Sequence, residues 1–159
     1  MDRKLIPKID YKDLLNEDPL LLSFLEKGIK ETGFFTLYNT PIKKSDVEKV
    51  INNYRNFFLL PKEIKNLVSM AKTGSNRGWG DLYGEQVNPN YNADYKEIFD
   101  NGLELEKKDP LSKLSVYAKN NWPAEPENFS KIILSYYEDS IKLSKSILKS
   151  ISKIIDRDQ

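Results

Sequence analysis

The sequence predicts a helix-rich α/β (α+β) domain with two or three short strands and one long C-terminal helix. Two patterns and one composition carry that expectation. Phe129, Ile132, Ile133, Tyr136, Tyr137, Leu143, Ile147, Leu148, Ile151 and Ile155 recur at helical spacing. Ile6-Pro7-Lys8-Ile9-Asp10 and Phe34-Phe35-Thr36-Leu37-Tyr38-Asn39 read as short strands, the second a buried one. An apolar share of 39% against a charged share of 31% suits helices with wet outer faces.

Each element has a local cause. Pro7 places the first strand at an edge or a strand start. Asp18-Pro19 supplies an N-cap and a first helical residue, and Leu21, Leu22, Leu25 and Ile29 follow at helical spacing until Gly33 stops the helix. Ser45-Asp46-Val47-Glu48 has the capping-box spacing. Val47, Val50, Ile51, Tyr54, Phe57 and Phe58 then form the expected inner face. Pro61 interrupts that helix, and Lys62 to Leu67 starts a short second one. Lys72 to Asn92 reads as a long loop, with room for a hairpin, because Gly74, Gly78, Gly80 and Gly84 lie among Asn, Ser and Pro. Tyr95 to Leu103 is a third short strand. Asn121-Trp122-Pro123 and Pro126 mark a turn before the last helix, whose length is on the order of 40 Å at 1.5 Å per residue.

One domain over residues 1–159 is expected from the length. The chain has no histidine and no cysteine. That excludes zinc fingers, Ser-His-Asp triads, Cys-His pairs and histidine-based iron sites built from this chain alone. Twenty-five basic residues against 24 acidic ones leave a charge of +1, without the basic excess of a nucleic-acid footprint. No apolar run reaches transmembrane length, and Met1-Asp2-Arg3-Lys4-Leu5-Ile6-Pro7 lacks a signal-peptide core. A cytoplasmic location is the expectation, with no membrane and no nucleic-acid partner.

Several patterns point to ordinary structure. Gly78-Trp79-Gly80-Asp81-Leu82-Tyr83-Gly84 is one residue too long for a dinucleotide loop. Asn88, Asn90, Asn92 and Asp94 alternate as calcium ligands do, but the central glycine and the terminal acid are missing. The carboxylate pairs Asp10 with Asp13 and Asp156 with Asp158 fall on expected surfaces. Arg77, Trp79 and Tyr83 stand out because they sit in the glycine-rich loop, where an arginine either stands solvated, the favoured reading, or clamps a carboxylate, and an aromatic ring lines a pocket or pins the loop to the core.

The order of these signals resembles the N-terminal domain of the isopenicillin N synthase-like non-haem iron oxygenases, mostly 2-oxoglutarate/Fe(II)-dependent dioxygenases. The resemblance rests on Ile6-Pro7-Lys8-Ile9-Asp10, then Glu31-Thr32-Gly33-Phe34-Phe35-Thr36-Leu37-Tyr38-Asn39, then Phe57-Phe58-Leu59-Leu60-Pro61-Lys62-Glu63-Ile64-Lys65. It continues through Arg77-Gly78-Trp79, where the family often has Arg-Gly-Tyr, Gly84-Glu85 and Lys96-Glu97-Ile98-Phe99-Asp100-Asn101-Gly102. Asn121-Trp122-Pro123 and the helix with Tyr136-Tyr137 complete it. Thr40 stands where the family often has a histidine that is not an iron ligand.

The resemblance implies the helix-rich front part of a double-stranded β-helix oxygenase, with the jelly-roll core missing. In the family that second half carries His-x-Asp, a distal histidine and Arg-x-Ser for Fe(II) and 2-oxoglutarate. The implied protein is a truncated, substrate-side domain, inactive alone, with no catalytic and no metal-ligating residue of its own. Arg77, Trp79, Tyr83, Phe99 and Asn101 are the implied substrate-pocket residues. Strands built to join an absent sheet leave open edges, so a β-helix partner chain or self-association is expected. A non-enzymatic small-molecule or protein binding module, or a non-functional remnant, are the alternative readings.

Overall fold

A computed structural model describes residues 5–84, 90 and 92–157. Glu85, Asn88, Asp158 and the segment Met1 to Lys4 lie outside the described residues, as do the side chains of Asp156 and Arg157. The chain divides into two compact units, one of residues 1–48 and 134–159, the other of residues 49–133.

In the first unit, β1 (Lys8–Asp10) leads directly into α1 (Tyr11–Leu15) and α2 (Pro19–Lys27). Asp10 ends the strand and caps α1, its carboxylate accepting the Lys12 N–H at 2.9 Å. Asp18 caps α2 by accepting from Leu20 and Leu21, and Pro19 occupies the first turn, where its missing N–H costs nothing. A π-turn over Gly28–Thr32 extends α2 to Gly33, which stops it at φ 70°. β2 (Thr36–Tyr38) then pairs parallel to β1 with Ile9 opposite Leu37. Ile9, Leu14, Leu25 and Ile154 form the buried core, with Phe35, Leu37, Ile147 and Ile151 packed on it.

Two expectations about this unit are corrected. Thr36 and Tyr38 are exposed and Leu37 is half-buried, so β2 is not a buried strand: among the described residues it has one strand neighbour. α3 (Lys44–Phe58) begins one residue before Ser45, and the Asp46 and Val47 N–H groups bond to the Lys43 carbonyl. Ser45 therefore lies inside the first turn and does not open a capping box.

The second unit holds the rest of α3, then α4 (Lys62–Lys65), a 3₁₀ turn over Asn66–Val68, and α5 (Met70–Thr73). β3 (Gly78–Gly80) and β4 (Ile98–Asp100) pair antiparallel with Trp79 opposite Phe99. The described residues thus contain four three-residue strands in two pairs. The extra one, β3, comes from within the glycine-rich stretch.

The core of this unit is aromatic. Phe57 has ring centroids of Phe99, Phe58 and Phe129 at 5.0, 5.5 and 5.5 Å, mostly edge to face. Trp122 stacks on Phe99 at 6.2 Å. Ile51, read as part of the inner face of α3, is instead half exposed, because Val50, Tyr54 and Phe57 already face the cluster.

α6 (Phe129–Arg157) runs through both units as one 29-residue helix. Its inner residues are Phe129, Ile133, Ser150 and Ile154, while Leu148 and Ile155 face outward. The apolar stripe is therefore narrower than the sequence pattern predicts.

Candidate substrate-side site

The five pocket candidates all fall in the second unit, around β3 and β4. Trp79 is 1% exposed and belongs to the core. Its indole N–H donates to Glu97 Oε2 at 2.9 Å. Phe99, its partner across the strands, packs on the same core. Asn101 accepts the Tyr54 hydroxyl at 2.9 Å. Burial, helped by the Asp100 charge, pushes that phenol up to about 12, so it remains a donor at neutral pH.

Arg77 braces three segments. Its guanidinium donates to the Val116 carbonyl at 2.9 Å and lies against Gly102, where a Cβ would collide with it. Its Nε is buried with no hydrogen-bond partner among the described residues. Asn121 donates to the Arg77 carbonyl at 2.7 Å and to the Thr73 hydroxyl at 3.0 Å. Asn120 closes a reciprocal pair with the N–H and carbonyl of Gly102, both at 2.8 Å. Tyr83 stands apart from the other four. It is exposed, takes φ 61°, and tilts against Tyr95 at 5.5 Å.

One cluster was not singled out from the sequence. Lys65, from the end of α4, is 5% exposed. Its ammonium lies 2.6 Å from Glu97 Oε2, donates to the Phe58 carbonyl at 3.1 Å, and sits 5.4 Å from the Trp79 ring centre. A buried ammonium requires such a counter-charge. No local signal announces the pairing, because 32 residues separate Lys65 from Glu97.

The donor set does not fit an iron site. The chain has no histidine, and the described residues contain no group of three or more acids that could hold a metal ion.

Residues 6–125 match the family model described as non-haem dioxygenase in morphine synthesis N-terminal, and the chain belongs to that family. It is 29% identical over 164 residues to a homoarginine-6-hydroxylase of Arabidopsis thaliana, covering 95% of this chain and 48% of that one. A full-length Neurospora crassa protein crystallised with alpha-KG superposes with a TM-score of 0.72 at 28% identity, over 95% of this chain and 47% of that one. A 2OG-Fe(II) oxygenase family protein from Caulobacter crescentus shares the fold, with a TM-score of 0.76 at 20% identity, over 95% and 48% of the two chains. The chain spans about half the length of the relatives it matches.

Proposed function

We propose that this chain is the substrate-side half of a 2-oxoglutarate/Fe(II)-dependent oxygenase and performs no oxidation alone. The carrying observation is the combination of a family match over residues 6–125 with a chain that has no histidine. Iron and 2-oxoglutarate would then be held by residues of a β-helix that this sequence does not contain. When bound there they supply the oxidising chemistry, and the present residues shape what reaches it.

In this reading residues 1–159 act as one N-terminal region in the cytoplasm. Tyr83 contacts substrate from the loop surface. Arg77 and Asn101 fix the segments on either side of β3 and β4. Trp79 and Phe99 hold those strands on the core. The β1–β2 pair supports a missing partner, since a parallel pair is ordinarily covered on both faces and two strands do not stand alone. Phe34 just before β2 and Tyr38 at its end are 69% and 50% exposed.

Co-expression of the full chain with a β-helix chain that carries His-x-Asp, a distal histidine and Arg-x-Ser tests the proposal. Substrate-dependent turnover is expected, with Tyr83→Ala raising KM and leaving substrate-independent 2-oxoglutarate consumption unchanged. A substrate KM untouched by Tyr83→Ala would remove Tyr83 from the pocket. Absence of turnover with a β-helix partner that binds iron would contradict the half-enzyme reading.

A further inference from the structure

After β4 the chain makes a long excursion, residues 103–119, wholly within the second unit. None of its residues is buried. Leu103, Leu111, Leu114 and Val116 are between 41% and 58% exposed, and no side chain of the excursion joins the aromatic core. Its own bonds are local. The Ser112 hydroxyl donates to the Lys107 carbonyl, Asp109 accepts from the Leu111 N–H, and 3₁₀ turns run over Pro110–Lys113 and Ser115–Tyr117.

The ends of the excursion are tied and its middle is not. The reciprocal Asn120–Gly102 pair closes the neck, and the Trp122 indole N–H donates to Glu104 beside it at 2.9 Å. Among the described residues the hydrogen bond that holds the excursion beyond its neck is the one from Arg77 to the Val116 carbonyl. Gly102 lets that guanidinium lie across the neck, where a Cβ would collide with it. The two arms also leave space between them. A cleft of about 700 Å³ is walled by Leu105, Lys107, Ser112, Tyr117 and Ala118 from within the excursion and by Asn120 at the neck. Compact loops with close ends are ordinarily filled by their own side chains. A segment with so few buried contacts opens at low cost, and loops of this length commonly serve as lids.

We propose that residues 103–119 are a hinged flap, which opens as one body about the Gly102–Asn120 neck and is latched shut by the Arg77 guanidinium. In the half-enzyme reading this flap governs access to the substrate side, but its opening is a property of the chain alone and is tested there.

Hydrogen–deuterium exchange of the full chain, read by mass spectrometry, and limited trypsin digestion test it. Peptides from 103–119 are expected to exchange at least about a hundredfold faster than those containing Trp79 and Phe99, as a locally opening segment does. Trypsin should cut first at Lys107, Lys108 or Lys113, which are exposed within the flap. Arg77→Met should speed both the exchange and the cut about tenfold, the effect of removing a hydrogen bond from a charged donor. It should leave the Trp79 and Phe99 peptides as protected as before. Arg77→Lys, which keeps a charged donor, should recover part of the protection. A flap as protected as β3 and β4 would overturn the proposal. So would an Arg77→Met variant that changes nothing, or one that loosens flap and strands together, since Arg77 would then brace the strands and latch nothing. None of these results bears on the oxygenase reading, which turnover with a β-helix partner decides.

Discussion

Lys65 Nζ lies 2.6 Å from Glu97 Oε2, the same oxygen that accepts the Trp79 indole N–H. One carboxylate therefore neutralises a buried ammonium and fixes the central ring of β3. Breaking such a pair from one side leaves a charge without compensation. Glu97→Gln keeps an acceptor for Trp79 and removes the counter-charge. It should cost about 2–3 kcal/mol in urea unfolding, below the value for a fully buried pair because the Glu97 side chain is 24% exposed. Lys65→Met with Glu97→Gln should recover much of that loss. A single variant as stable as the wild type would contradict the role assigned to the pair.

Phe57 is the hub of the aromatic core, fully buried against Phe58, Phe99 and Phe129. Phe57→Ala should destabilise the fold by about 3–5 kcal/mol through lost burial and the cavity left behind. Phe57→Leu should recover part of it. Chemical denaturation of the two variants measures the difference.

Gly78 adopts φ 112°, and a Cβ there would meet the Val68 carbonyl. The obstacle is backbone, which cannot step aside as a long side chain can. Gly78→Ala should therefore cost more than about 1–2 kcal/mol. Gly74→Ala makes the control: its φ is 64° but nothing stands within 4 Å of a Cβ, so the cost is conformational only and smaller. Equal melting temperatures for the two variants would refute the steric argument.

The Lys62–Asp81 ion pair gives a pH signature. The hydrogen bond from Lys62 holds the Asp81 carboxyl below the usual carboxylate range, and the same bond raises the Lys62 ammonium. A depressed acid contributes stability above its unfolded pKa and loses it as pH falls through the folded value. A raised base contributes below its unfolded pKa and loses it as pH rises through the folded value. The stability difference between wild type and Asp81→Asn should therefore be full between the ordinary values of 3.8 and 10.5, and vanish toward either extreme. Lys62 is exposed and Asp81 only half-buried, so the difference should also shrink in high salt. A difference independent of pH would show that Asp81 acts through packing.

The sequence carried the periodic elements well, because periodicity reports which face is buried. Asp18-Pro19 caps α2, Gly33 stops it, and α6 covers the whole C-terminal pattern. The failures have physical causes. Ser45 matched a capping box, but spacing does not show which carbonyl opens a helix. Ile51, Leu148 and Ile155 fit an apolar stripe but face outward, since a 3.6-residue period fixes a direction and not the width of the contact. Trp79 was noticeable only as a tryptophan between glycines. That it is a core residue depends on Glu97 and Phe99, which the chain brings to it from 18 and 20 residues away. The Asn120–Gly102 and Arg77–Val116 bonds are equally non-local and leave no trace in the local pattern.

Release of succinate from 2-oxoglutarate, with Fe(II) supplied, is the most direct measurement. The purified full chain should give none above the protein-free background, and should acquire turnover when combined with a histidine-bearing β-helix half. Turnover by the purified chain alone would contradict the account at its centre, because it would require an iron site built without histidine.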